Sequence, residues 1–150
     1  MASIETAVVP PRGDRSAFTT EICDVAETAG VEALVLAGFM RILGAEAMAR
    51  FPHRIINIHP SLLPSFPGAD AVGQALRANV DVTGVTVHFV DEMVDHGPII
   101  AQRTVPVLPG DDEASLHSRI RIKEHEIYPR IVRALAEGRL RVENGKVIWS

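Results

Sequence analysis

Apolar positions along the chain repeat with a period of two in some stretches and near 3.6 in others, and the changes of period mark out strands and helices. Ile4 to Val9 reads as a short strand closed by Pro10-Pro11-Arg12-Gly13. Asp14 then caps a helix whose apolar positions Phe18, Ile22, Val25 and Ala29 recur at helical spacing and which Gly30 ends. Val31 to Ala37 is almost wholly apolar, the pattern of a central strand buried on both faces. Met40, Arg41, Ile42 and Leu43 form an apolar loop broken by one cation, and Ala45 to Phe51 makes a short helix. In Arg54 to Gly68 the period returns to two: Ile56 and Ile58 face one way, Asn57 and His59 the other. Pro60 cannot continue a central ladder, and Pro64, Pro67 and Gly68 stiffen the loop beyond it. Asn57 and His59 therefore stand at a strand's C-terminal end, where open α/β sheets place ligands.

The second half predicts a helix over Asp70 to Val80, a half-buried strand over Thr83 to Asp91, a turn through Pro98 and a returning strand over Ile99 to Leu108. The last two form an antiparallel hairpin, so the sheet is mixed. Acids at Asp111, Asp112 and Glu113 open a long helix with a buried stripe of Leu116, Ile120, Ile127, Ile131 and Leu135, which Pro129 must kink or restart. Leu140 to Val142 and Val147 to Trp149, joined by Asn144-Gly145, read as a small hairpin. The order of elements predicts an α/β fold in one domain over residues 1–150, a mostly parallel mixed sheet flanked by helices.

With 150 residues, 47% of them hydrophobic, such a domain can bury roughly two thirds of its unfolded surface. Net charge is −4, and the fifteen Lys and Arg are scattered along the chain, which argues against nucleic acid and for a small-molecule partner. Cys23 is the sole cysteine, so no intramolecular disulfide forms and a reducing, cytoplasmic setting is expected. No export signal or membrane span is read, and the Arg12-Gly13-Asp14 triplet is taken as a turn.

The residues fit for chemistry are Asn57, His59 and Asp95. An Asn amide and an imidazolium both donate to a developing oxyanion, and a nearby carboxylate favours the charged imidazole. Such a trio suits acyl or formyl transfer. No Gly-x-Ser-x-Gly is present and Cys23 lies on a helix's buried side, so the attacking group is expected to be the substrate's own, such as an amine. By spacing alone the commoner reading is structural: Asn and His near strand ends satisfy loop backbone, and Asp before Gly-Pro is ordinary turn chemistry. His88 reads as a satisfied strand histidine, and His53, His59, His88 and His96 lack metal-ligand spacing, so no metal is expected.

Five segments change that balance: Leu36-Ala37-Gly38-Phe39-Met40-Arg41-Ile42-Leu43, Asn57-Ile58-His59-Pro60-Ser61-Leu62-Leu63-Pro64, Thr86-Val87-His88-Phe89-Val90, Asp95-His96-Gly97-Pro98 and Glu124-His125-Glu126-Ile127-Tyr128-Pro129. In order and spacing the chain resembles the folate-dependent formyltransferases over nearly its whole length. The resemblance implies a Rossmann-like formyltransferase fold and transfer of a formyl group from 10-formyltetrahydrofolate to the amine of glycinamide ribonucleotide in purine synthesis. By the same resemblance Asn57 and protonated His59 stabilise the oxyanion, and Asp95 favours that protonation and helps relay a proton. Arg15, Met40, Arg41, Ile42, Leu43 and Asn57, with the loop carrying Val90, Asp91, Val94 and Asp95, would hold the folate. Pro60 and Glu124 would lie on the ribonucleotide side.

Two departures accompany it. The family's chain opens with a strand, a Gly-rich phosphate-binding loop, a helix and a second strand, none of which precedes Ile4. The strand at Val31 to Ala37 is therefore expected to expose an apolar edge, and the substrate phosphate to lack its backbone cradle; an N-terminal truncation is the expected explanation. Asp70 stands where a His is usual, and an acid there would repel a phosphate or alter the local proton balance. Two other readings follow: a hydrolase of the same superfamily that releases formate from the folate, and an inactive interaction module that self-associates through its open edge.

Overall fold

The computed structural model describes residues 3–150. The sheet that positions the site contains β1 (Leu34–Leu36), β2 (Ile55–His59), β3 (Val82–Phe89) and β4 (Ile99–Pro106), in that spatial order. β1 runs parallel to β2, with Leu36 opposite Asn57. β3 is antiparallel to both β2 and β4, and its register sets His88 opposite Asn57 and Thr86 opposite His59. Directly opposed residues share a face, so the two polar side chains of β2 meet two polar side chains of β3. The sheet is thus mixed and flanked by helices, as expected, but among the described residues it is not mostly parallel: β1–β2 is its one parallel pairing, and β2–β3 and β3–β4 are antiparallel.

β3 corrects the expectation of a half-buried strand, since every residue from Thr83 to Phe89 is buried. Val85, Val87 and Phe89 join a core cluster with Leu116, Ile120, Ile127 and Ile131 of α4 (Glu113–Ala136). The opposite face is covered by the loop after β2: a Cβ on Gly84 would lie 2.6 Å from Leu62 Cδ2, and Leu63 N donates to Thr86 Oγ1 at 3.0 Å. Thr86 also donates to Ser61 O at 2.7 Å and accepts from Gln102 Nε2 at 2.9 Å. A polar residue on the alternating pattern is buried here because its hydroxyl is fully used.

α4 runs as one continuous helix through Pro129, so the helix does not restart there. Asp112 caps it in a reciprocal box with Ser115. One turn past Glu124, the Tyr128 hydroxyl donates to Leu36 O and, at 3.3 Å, to Ile56 O, tying α4 to the ends of β1 and the middle of β2. Burial pushes the Tyr128 phenol well above its ordinary range, so it remains a donor.

β1 is an edge of the described sheet rather than a central strand, and Val35 is 44% exposed. The expected open edge is therefore present, whereas the expected burial of both faces is not. Ile4 to Val9 forms no strand and lies exposed up to a half-buried Val9, because a strand needs a ladder partner for its backbone and finds none among the described residues. α1 (Arg15–Thr28) buries Phe18, Thr19 and Cys23, while Val25 and Ala29 of the expected stripe face outward. Thr19 earns burial through hydrogen bonds, donating to Arg15 O at 2.7 Å and accepting from Gly44 N at 2.9 Å, which fixes α1 against the start of α2 (Ala45–Arg50). The Asp14 carboxylate accepts from Ala17 N at 2.8 Å, so the Arg12-Gly13-Asp14 triplet is a helix cap and turn.

α3 (Ala71–Arg77) follows the loop after β2, and β5 (Leu140–Glu143) pairs with β6 (Lys146–Trp149) through Asn144-Gly145, both left-handed as a two-residue hairpin turn requires. Among the described residues no helix is long and apolar enough to cross a membrane.

Candidate active site

A cleft of about 560 Å³ opens at the C-terminal end of β2. Pro60 ends the strand, and Asn57, His59 and Pro60 form the floor. One wall is the loop after β1, Met40 to Leu43; the facing wall is the loop after β3, with Val90, Asp91, Val94 and Asp95; α4 contributes Glu124. The cleft therefore brings together every sequence-nominated site residue except Arg15, which begins α1 and does not line it. Arg41 is steered by aromatic packing: its guanidinium lies 5.6 Å from the centroid of the Phe18 ring, which stacks on Phe39 at 6.5 Å.

Asp95 reaches the floor from a left-handed residue, φ 50°. Its Oδ2 accepts from Gly68 N at 2.7 Å and lies 3.5 Å from His59 Nδ1, and its Oδ1 lies 3.9 Å from His88 Nε2. His59, 5% exposed, donates from Nε2 to Phe66 O at 2.8 Å, which leaves Nδ1 facing the carboxylate. His88 is held the other way round. Its Nδ1 donates to Phe89 O at 2.9 Å, so Nε2 is free to accept the Asn57 amide, 3.4 Å away. That contact turns the Asn57 nitrogen inward and leaves its second N–H for a ligand.

Burial pushes His88 below its ordinary value of 6.5, so it is neutral in the native protein. The unfolded chain takes up a proton near 6.5 and the native chain resists it, so the contribution of His88 to stability is full above that pH and is lost as pH falls toward the depressed native value. The denaturation midpoint is expected to fall as pH drops below 6.5, and His88→Gln to flatten that slope. An unchanged slope in the variant would assign the effect to another group.

Sequence reasoning missed Glu113, His117 and Arg121, which line the cleft beside Glu124. Their signal was a polar stripe at helical spacing next to the apolar one through Leu116, Ile120 and Ile127. Asp70 also lines the cleft, but its carboxylate pairs with Arg77 at 2.7 Å, which offsets the repulsion expected of a bare acid.

The family model described as formyl transferase matches residues 2–132. The phosphoribosylglycinamide formyltransferase of Bacillus subtilis is 46% identical over 122 residues, 81% of this chain and 63% of that protein. Among solved structures, glycinamide ribonucleotide transformylase 1 from Symbiobacterium toebii superposes with a TM-score of 0.88 at 48% identity, covering 91% of this chain and 64% of that one. A formyltetrahydrofolate deformylase from Pseudomonas syringae superposes with a TM-score of 0.83 at 34% identity, covering 91% of this chain and 46% of that one. The chain thus spans less than two thirds of the length of each of these relatives. With the family's segments matched along most of its length and its polar groups gathered at one strand end, the chain belongs to the formyl transferase family.

Proposed function

We propose that this chain transfers the formyl group of 10-formyltetrahydrofolate to the amine of glycinamide ribonucleotide in purine biosynthesis. The observation that carries this reading is the meeting of Asn57, His59 and Asp95 at the end of β2, between the apolar wall of Met40 to Leu43 and the polar face of α4. The apolar wall suits the flat folate ring, with Val90, Asp91 and Val94 opposite it; Pro60 and Glu124 suit the ribonucleotide. Arg15, which lies outside the cleft lining, would touch only a part of the folate that extends beyond it.

The substrate amine attacks the formyl carbon, forming the new C–N bond and a tetrahedral oxyanion. The free N–H of Asn57 donates to that oxygen. Donation from His59 requires its Nε2 to exchange Phe66 O for the substrate, while the Asp95 carboxylate beside Nδ1 offsets the positive charge on the ring. Collapse breaks the bond to the folate nitrogen, and the proton lost by the amine passes through Asp95 and His59 to that leaving nitrogen. No protein nucleophile takes part; both reactants are held in one cleft, which supplies the rate advantage of proximity.

The deformylase likeness favours a second reading, in which water takes the place of the amine. Absorbance of the formyl folate, followed with and without glycinamide ribonucleotide, separates the two. Loss of the formyl group that requires the ribonucleotide and yields formylated product supports transfer. Release of formate that is indifferent to the ribonucleotide supports hydrolysis.

A further inference from the structure

Ser61 follows Pro60 at the end of β2 and is fully buried, yet its hydroxyl takes no part in the proposed transfer. Its backbone is fixed, because Thr86 donates to Ser61 O at 2.7 Å. The Ser61 hydroxyl donates to Ser65 O at 2.5 Å and stands 3.3 Å from Phe66 O. That second carbonyl is the one that accepts from His59 Nε2 at 2.8 Å. Two donors therefore converge on Phe66 O, one of them engaged and the other in reserve. The turn that presents the carbonyl is closed by Ser65 N donating to Leu62 O at 3.0 Å.

When His59 leaves this bond, Phe66 O still faces the buried ring and the buried hydroxyl. A buried acceptor that loses its donor disfavours the state that orphans it by roughly ten- to hundredfold. We propose that Ser61 is a positioning residue that takes over the Phe66 carbonyl when His59 turns its Nε2 proton to the formyl oxygen, an inference that rests on the transfer reading. A serine hydroxyl carries one proton on a free rotor, so the swap needs a turn of the O–H and no movement of the chain. Ser65 is exposed, and water replaces the bond that its carbonyl gives up. Neither state then leaves a buried acceptor unpaired, and the exchange is close to neutral. The opposite role has the opposite signature. If Ser61 only pinned the turn to Ser65, its removal would loosen the loop and free His59; as the reserve donor, its removal locks His59 onto Phe66 O.

The Nε2 proton of His59 reports this exchange without any substrate. It passes to water when its bond to Phe66 O opens, and NMR assigns it by its absence in His59→Ala. In Ser61→Ala, with thermal unfolding close to native, the proton is expected to exchange about tenfold more slowly. In the same variant kcat is expected to fall about tenfold or more, with KM for the formyl folate little changed. Ser61→Cys places a weaker donor at the same site and is expected to lie between the native chain and Ser61→Ala in both measurements. An effect of packing alone would put the larger sulfur outside that order. Should Ser61→Ala not fold, Ser61→Cys carries the same two comparisons. The proposal is overturned if the proton exchanges at the native rate or faster in the variant, or if the variant turns over as the native chain does. If the native chain shows no transfer that requires the ribonucleotide, the transfer reading fails, and proton exchange alone decides whether Ser61 shares this carbonyl with His59.

Discussion

His59→Ala is expected to lower turnover by about two to four orders of magnitude, the range for losing a positioned acid and oxyanion donor. Folate binding is expected to remain detectable, because the apolar wall of Met40 to Leu43 and the Val90 to Asp95 loop do not include this ring. The neighbouring groups retain partners: Asp95 keeps Gly68 N at 2.7 Å, and Asn57 keeps His88. The loss should therefore appear in kcat far more than in KM. Steady-state kinetics together with direct titration of a folate ligand provide the check. Undiminished turnover would remove His59 from the mechanism, and an equal loss of folate affinity would recast it as a binding residue.

The next largest effect is expected from Gly97→Ala, which touches no reactant. A Cβ on Gly97 would stand 1.7 Å from the carbonyl oxygen of Phe89 and 2.8 Å from its carbon, both backbone atoms that no rotamer change can move. The contact sits where the chain returns from the Asp95 turn into β4, beside the bond from Phe89 N to Pro98 O at 2.9 Å. To admit the methyl group the turn must lift, and Asp95 moves with it away from His59. The overpacking is expected to cost about 1–3 kcal/mol of stability, and the displaced carboxylate about a hundredfold in turnover. A denaturant titration and a kinetic assay on the same preparation test both parts. A variant with native stability and full turnover would show that the turn has slack.

The placement of Asn57 and His59 was legible because a two-residue period followed by Pro60 leaves few structural options. The arrival of Asp95 depends on the register of β2 against β3, a non-local property that spacing within one segment does not encode. The same register explains Thr86, which a half-buried alternating strand would turn outward, and His88, which reads as a satisfied strand histidine: both are buried, and each finds hydrogen-bond partners on the neighbouring strand or loop. An apolar run such as Val31 to Ala37 looks the same at a sheet's centre and at its edge, so the exposure of Val35 could be anticipated only from the family comparison. The polar stripe of Glu113, His117, Arg121 and Glu124 was present in the sequence but was overshadowed by the hydrophobic stripe beside it.

The Tyr128 hydroxyl joins parts of the molecule that would otherwise respond separately. It grips Leu36 at the root of the Met40 to Leu43 wall, and it belongs to the helix that presents Glu124 one turn earlier. A ligand that draws in the loop after β1 therefore pulls on the helix across the cleft, and a ligand held by the helix pulls on the loop. Linkage makes that influence reciprocal: whatever factor one ligand, by moving this joint, applies to the affinity of the other, the other applies to it in return, whichever arrives first.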